Sequence, residues 1–235
     1  MNKLIVESKN DKAFIEALIQ HLHVNAEVDT PMCNIDDFEC LGGSDETKLR
    51  IKIEELLDEV GKRGLNKIGV LFDMDTFTTN QRLDSVLKSL NIALENKGIP
   101  QIEIGFESVN QFINIPIDET TNVEIACFFT NLDGKGELET VLKAIKTQDS
   151  FYADCLEKWR ECLVQKGKAI SEKEFDKFWL SNYIRFDTCS KNDKKQSERK
   201  CSLQNFDYVM MNKSHIFDLD SPILSDLKNF LLLFN

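Results

Sequence analysis

Two aspartates spaced i, i+2 close the uninterrupted apolar run Ile68-Gly69-Val70-Leu71-Phe72, leaving Asp73-Met74-Asp75 at its end. A run of this length and β-branched content predicts a buried central strand. If the strand stays extended that far, its period of two points both carboxylates the same way. Carboxylates in such a place are costly unless a cation, a hydrogen-bond network or solvent compensates them. A hard divalent metal is the compensation that also does chemistry. Glu7 closes an earlier apolar run, Leu4-Ile5-Val6, and Gly42-Gly43 follows a second strand candidate at 35–40. Ligands of open α/β sheets bind outside the carboxyl ends of the strands, so these three ends are expected to converge.

The elements that must position them alternate. After Glu7, Ser8 or Asn10 caps a helix with Phe14, Ala17, Leu18 and Leu22 at helical spacing. A second helix carries Leu49, Ile53, Leu56, Leu57 and Val60, and a third Leu83, Val86, Leu87, Leu90 and Leu94. Residues 102–106 alternate like a half-buried strand, 108–121 read as a loop containing Pro116, and 123–129 read as another strand. A turn at 131–136 then leads to a helix with Leu138, Val141, Leu142 and Ile145. Strand–helix alternation of this kind predicts an α/β fold with a mostly parallel sheet covered on both faces. From about residue 150 the pattern becomes helical, over 151–163, 172–184 and a last helix opened by Pro222. The expected organisation is an α/β domain at 1–149 and a helical extension at 150–235, packed on the core, with a mobile loop near 187–204.

The chain resembles the Toprim domain, the metal-dependent module of type IA and type II topoisomerases, DnaG-type primases and overcoming-lysogenization-defect nucleases. Val6-Glu7-Ser8-Lys9-Asn10-Asp11 looks like that superfamily's glutamate motif, and Asp73-Met74-Asp75 like its paired-aspartate motif. Within it the chain looks closest to a family of small stand-alone Toprim-related proteins. Leu41-Gly42-Gly43, Gly136-Glu137-Leu138-Glu139 and Phe217-Asp218-Leu219-Asp220-Ser221-Pro222 extend the likeness. Thr78 stands where D-x-D-x-x-G would have its glycine, and Ser8 replaces the glycine often found after the glutamate. Both departures point away from topoisomerases and primases and toward the nuclease-like or uncharacterised branches.

The resemblance implies a Toprim-like, Rossmann-like sheet in which Asp73 and Asp75 bind Mg²⁺ or Mn²⁺. Glu7 would serve as general acid–base or share the metal, with Lys9, Gly42 and Gly43 beside the substrate. The implied function is Mg²⁺-dependent phosphodiester hydrolysis of nucleic acid, DNA or RNA, in a bacterial or phage-conflict setting. An inert Toprim-like binding module and a nucleotide phosphate-processing enzyme are the alternatives, and a homodimer or partner protein is compatible with either.

Other signals bound these readings. A net charge of −11 argues against broad duplex binding through a basic face. No apolar run is long enough to span a bilayer and no signal-peptide layout opens the chain, so a cytoplasmic protein is expected. The seven cysteines show no C-x-x-C pair, so reduced thiols are expected rather than zinc on Cys155, Cys162, Cys189 and Cys201. Bland readings suffice for several other residues. Glu137 and Glu139 favour the first turn of their helix, and His21 and His23 meet a helix C-terminus. Asp218 and Asp220 cap the last helix, while Trp159, Trp179, Phe175 and Phe178 fit helical packing.

Overall fold

The computed structural model describes residues 1–33, 45–102 and 105–235. Five strands, β1 (Asn2–Val6), β2 (Glu27–Val28), β3 (Lys67–Asp73), β4 (Ile113–Pro116) and β5 (Asn122–Thr130), form one sheet in the order β2-β1-β3-β5-β4. All pairs are parallel except β4 with β5. The sheet is mixed but mostly parallel and flanked by helices, an α/β fold.

Strand periodicity sorts the sheet into two faces. Leu4, Val6, Leu71 and Phe128 face one layer, whose helices are α1 (Lys9–Leu22), α4 (Leu138–Ala144) and α6 (Glu172–Asn182), with α8 (Phe206–Lys213) and α9 (Ser225–Leu232). Ile5, Val70, Phe72 and Phe129 face the other, covered by α2 (Asp45–Arg63) and α3 (Thr79–Asn96). Residues on both sides of position 150 therefore share one apolar layer, in which Trp179, Phe206, Phe230 and Phe234 meet the strands. Two further helices, α5 (Phe151–Gln165) and the short α7 (Ser197–Lys200), lie toward the outside of that layer.

Gly69 makes the closest approach possible. A Cβ there would fall 2.5 Å from Leu4 Cδ2 and 2.7 Å from Phe234 Cζ. Gly69→Ala is expected to cost about 1–3 kcal/mol through overpacking, lowering the melting temperature by several degrees. An unchanged melting curve would show that the C-terminal aromatics do not sit against β3.

Four points differ from these expectations or add to them. The segment 108–121 is not wholly loop: 113–116 forms an antiparallel edge strand, where Pro116 costs no ladder hydrogen bond to a second neighbour. Asp118 accepts the N–H groups of Thr120 and Thr121 in the turn that joins β4 to β5. Residues 102 and 105–106 are irregular, and the remainder of that expected strand lies outside the described residues, as does the whole of 35–40. The stretch near 187–204 holds short helical turns at Lys194–Gln196, α7 and Leu203–Asn205.

The fourth point concerns the thiols. Cys189 and Cys201 form a disulfide with Cα atoms 5.7 Å apart, while Cys127, Cys155 and Cys162 are free. That divides the four cysteines weighed as zinc ligands. No helix among the described residues is long and apolar enough to cross a membrane.

Candidate functional site

The sheet reverses its direction of travel between β1 and β3. The chain leaves β1 toward β2 on one side and leaves β3 toward β5 on the other. Ligand crevices open at such a switch point, beyond the carboxyl ends of the strands. Glu7 follows β1 directly and Asp73 ends β3, with Val6 paired to Leu71 between them. Ser8 then caps α1 through a reciprocal box with Asp11: Asp11 N–H donates to Ser8 Oγ at 3.2 Å and Ser8 N–H to Asp11 Oδ2 at 2.8 Å. Serine at that position is thus explained by capping, and it brings Asp11 to the same strand ends.

Asp73 is the centre of the arrangement. Its carboxylate is buried, and Oδ1 accepts the Leu138 N–H at 3.0 Å, from the first residue of α4. Among the described residues no other donor reaches it by hydrogen bond. Burial, followed by the charges of Asp11, Glu7, Glu139 and Glu137, pushes its pKa well above the usual carboxylate range.

Asp75 behaves differently. The strand stops at Asp73, and Asp75 adopts a left-handed φ of 52° while its N–H donates to Gly136 O at 3.0 Å. The strand's period of two therefore does not carry on to Asp75. Asp75 Oδ2 accepts from Arg82 Nη2 at 2.7 Å, and Oδ1 from Lys173 Nζ at 2.8 Å. Lys173 also reaches Glu137 Oε2 at 2.9 Å. Burial opposes the Lys173 charge, but hydrogen bonds to Asp75 and Glu137 outweigh it and raise its pKa.

Glu137 and Glu139 exceed the helix-start role expected of them. Both are buried. Burial raises Glu137 against the pull of Lys173, and burial carries Glu139 to about 8, with Lys177 opposing and Glu137 and Asp11 adding to the rise. Lys9 stands exposed at the first position of α1. Gly42 and Gly43 lie outside the described residues. Thr78, in the place of the missing glycine, caps α3 through a reciprocal box: its Oγ1 accepts the Gln81 N–H at 3.3 Å and its own N–H donates to Gln81 Oε1 at 2.9 Å.

Some residues were beyond sequence reasoning. Glu137 and Glu139 carried a signal, their i, i+2 spacing after Gly136, but Arg82 and Lys173 carried none. Lys173 is 98 positions from the aspartate it binds. His21 lies in the last turn of α1 as expected and also meets Asp220 Oδ1 through Nε2 at 2.8 Å, while Ser221 rather than an aspartate caps the turn before α9.

Among the described residues no group of three or more His, Cys, Asp or Glu side chains is arranged to hold a metal ion. Mg²⁺ does not require such a cage, since it commonly uses one or two carboxylates and completes its shell with water and substrate phosphate. Hard carboxylate oxygens around Asp73 fit it in kind. The fold and the crevice define an α/β protein with an acidic cluster at the switch point of its sheet. Over residues 1–234 the chain matches the family described as Protein of unknown function (DUF3226), and it belongs to that family. No curated protein and no solved structure matched it.

Proposed function

We propose that the crevice beyond β1 and β3 performs Mg²⁺- or Mn²⁺-dependent phosphodiester hydrolysis on nucleic acid, in the manner of Toprim-like nucleases. The observation that carries this reading is Asp73, a carboxylate buried at a strand end and surrounded by the charges of Asp11, Glu7, Glu139 and Glu137. Like charges so placed need a proton or a cation, and only the cation keeps them ionised at neutral pH. Asp73 and Glu7 would hold the cation, with Asp75 joining them once it leaves Arg82 and Lys173. When bound, the metal would supply charge stabilisation at the phosphate and an acidic water. Glu7, half-buried at the mouth, would take the proton of that water and return it to the leaving oxygen. Arg82 and Lys173, exchanged from Asp75 to the substrate, would bind its phosphate oxygens.

Purified protein with Mg²⁺ or Mn²⁺ is expected to cleave polynucleotide, and Asp73→Ala combined with Asp75→Ala to abolish the cleavage. Unchanged cleavage in the double variant would sink the assignment.

One observation favours a second reading, a catalytically inert module that retains the crevice. The two cations already satisfy Asp75, so that carboxylate needs no metal to be stable. Calorimetry separates the readings: metal binding with no turnover of polynucleotides or nucleotides supports the module.

A further inference from the structure

We propose that the outer surface formed by the start of α5, the end of α6 and the disulfide-closed loop is a platform for single-stranded nucleic acid. The proposal deepens the hydrolytic reading by assigning a substrate-binding surface. Two kinds of group meet there.

The first is aromatic. Phe151, Tyr152 and Phe186 are 72%, 64% and 52% exposed, and the Tyr152 and Phe186 rings lie 5.9 Å apart. A wide π-turn at Tyr183–Asp187 continues α6 and brings Phe186 outward. Asp187 fixes the pair, since its carboxylate accepts the backbone N–H groups of Tyr152 at 2.9 Å and Ala153 at 3.0 Å. Those bonds also occupy the anion nearest the rings. The three aromatics line a groove of about 520 Å³.

The second is basic. Residues 191–200 carry five cations against Asp193 and Glu198, in a chain whose net charge is −11. The Cys189–Cys201 disulfide closes this segment on itself. Asp193 is held by Lys200 and Lys213, both at 3.3 Å. Lys191, Lys194, Lys195 and Arg199 are exposed and make no ion pair among the described residues. A second groove, of about 660 Å³ and lined by Cys189, Ser190 and Asp193, shares Gln148 and Asp187 with the aromatic one. Ser190 and Asp193 flank Lys191 in sequence, so the basic segment borders the groove that adjoins the rings.

Exposed rings beside unpaired cations suit an unpaired strand, whose bases stack while its phosphates follow the positive charge. A duplex hides its base faces, and the acidic remainder of the surface repels its denser charge. Asp149 lines the aromatic groove, and Asp154 and Glu198 are exposed carboxylates close to it in sequence or on the basic segment, which limits the surface to a short run of phosphates.

The test is fluorescence anisotropy of a labelled 20-nucleotide single strand and its duplex, with EDTA present so that no cleavage contributes. The single strand is expected to bind at least tenfold more tightly than the duplex. Tyr152→Ala with Phe186→Ala should weaken single-strand binding about tenfold or more, with the salt dependence unchanged. Lys194→Ala with Lys195→Ala should instead lower the log–log salt slope by about 1.4. Melting curves of both surface variants should match the parent. Equal binding of duplex, full competition by polyglutamate, or indifference to both variants would overturn the platform. Binding through these residues without any cleavage in Mg²⁺ would keep the platform and remove the hydrolytic reading. Cleavage that neither variant alters would do the reverse.

Discussion

Asp73→Asn should make the metal-free protein more stable, not less, and should at the same time remove its response to Mg²⁺. Asparagine keeps an oxygen for the Leu138 N–H, so the start of α4 retains its partner. What disappears is a buried negative charge facing four other carboxylates. Relieving an uncompensated buried charge of this kind is worth about 1–4 kcal/mol, which raises the melting temperature by several degrees for a chain of this size. The gain should be greater in EDTA at high pH and shrink as pH falls and the wild-type carboxyl, its pKa raised by burial, takes up a proton. Saturating Mg²⁺ should stabilise the wild type by about 2.7 kcal/mol at a hundredfold excess over its dissociation constant and leave the variant unmoved. Scanning calorimetry of both proteins, with and without metal, reads all four numbers. A variant that melts lower in EDTA would show that the cluster is not repulsive, and an equal Mg²⁺ response would place the metal elsewhere.

Glu139 should make the metal-free protein lose stability as pH rises toward 8. Burial, with Glu137 and Asp11 adding to it against Lys177, lifts this carboxyl from 4.5 to about 8 in the folded chain. Across that interval the native state holds a proton that the unfolded state has released. Stability is therefore fully present below 4.5 and declines as pH rises through the folded value. The decline is at most about 5 kcal/mol, and Asp73, raised by the same surroundings, adds to it in the same direction. Glu139→Gln reproduces the protonated form and should flatten most of the slope. Melting curves between pH 5 and 8.5 in EDTA check this, and parallel slopes in the two proteins would show that Glu139 is already ionised at pH 5.

Glu139 also shows where reading the chain falls short. Two glutamates in a first helical turn are commonplace, and nothing local says that Glu139 will be covered. It is covered because α4 packs against α6, whose sequence lies more than thirty residues on. The same distance hides Lys173, which ties Asp75 and Glu137 into one ion-pair network. It hides the disulfide as well, since cysteines twelve positions apart carry no motif.

By itself the sequence determined the local structure: the apolar strands β1, β3 and β5, the amphipathic helices between them, the Ser8 cap, and the arrival of Glu7 and Asp73 at carboxyl ends. Periodicity and capping act over a few residues, and a buried parallel strand announces itself by being apolar on both faces. Tertiary structure alone decided the electrostatics. It chose the five-strand order that sets Glu7 beside Asp73, ended β3 at Asp73 so that Asp75 turned away, and brought Glu137, Glu139 and Lys173 in from distant segments. The physical reason is range: backbone preference is settled within a turn or two, whereas charge and burial depend on whichever side chains the folded chain places within a few ångströms.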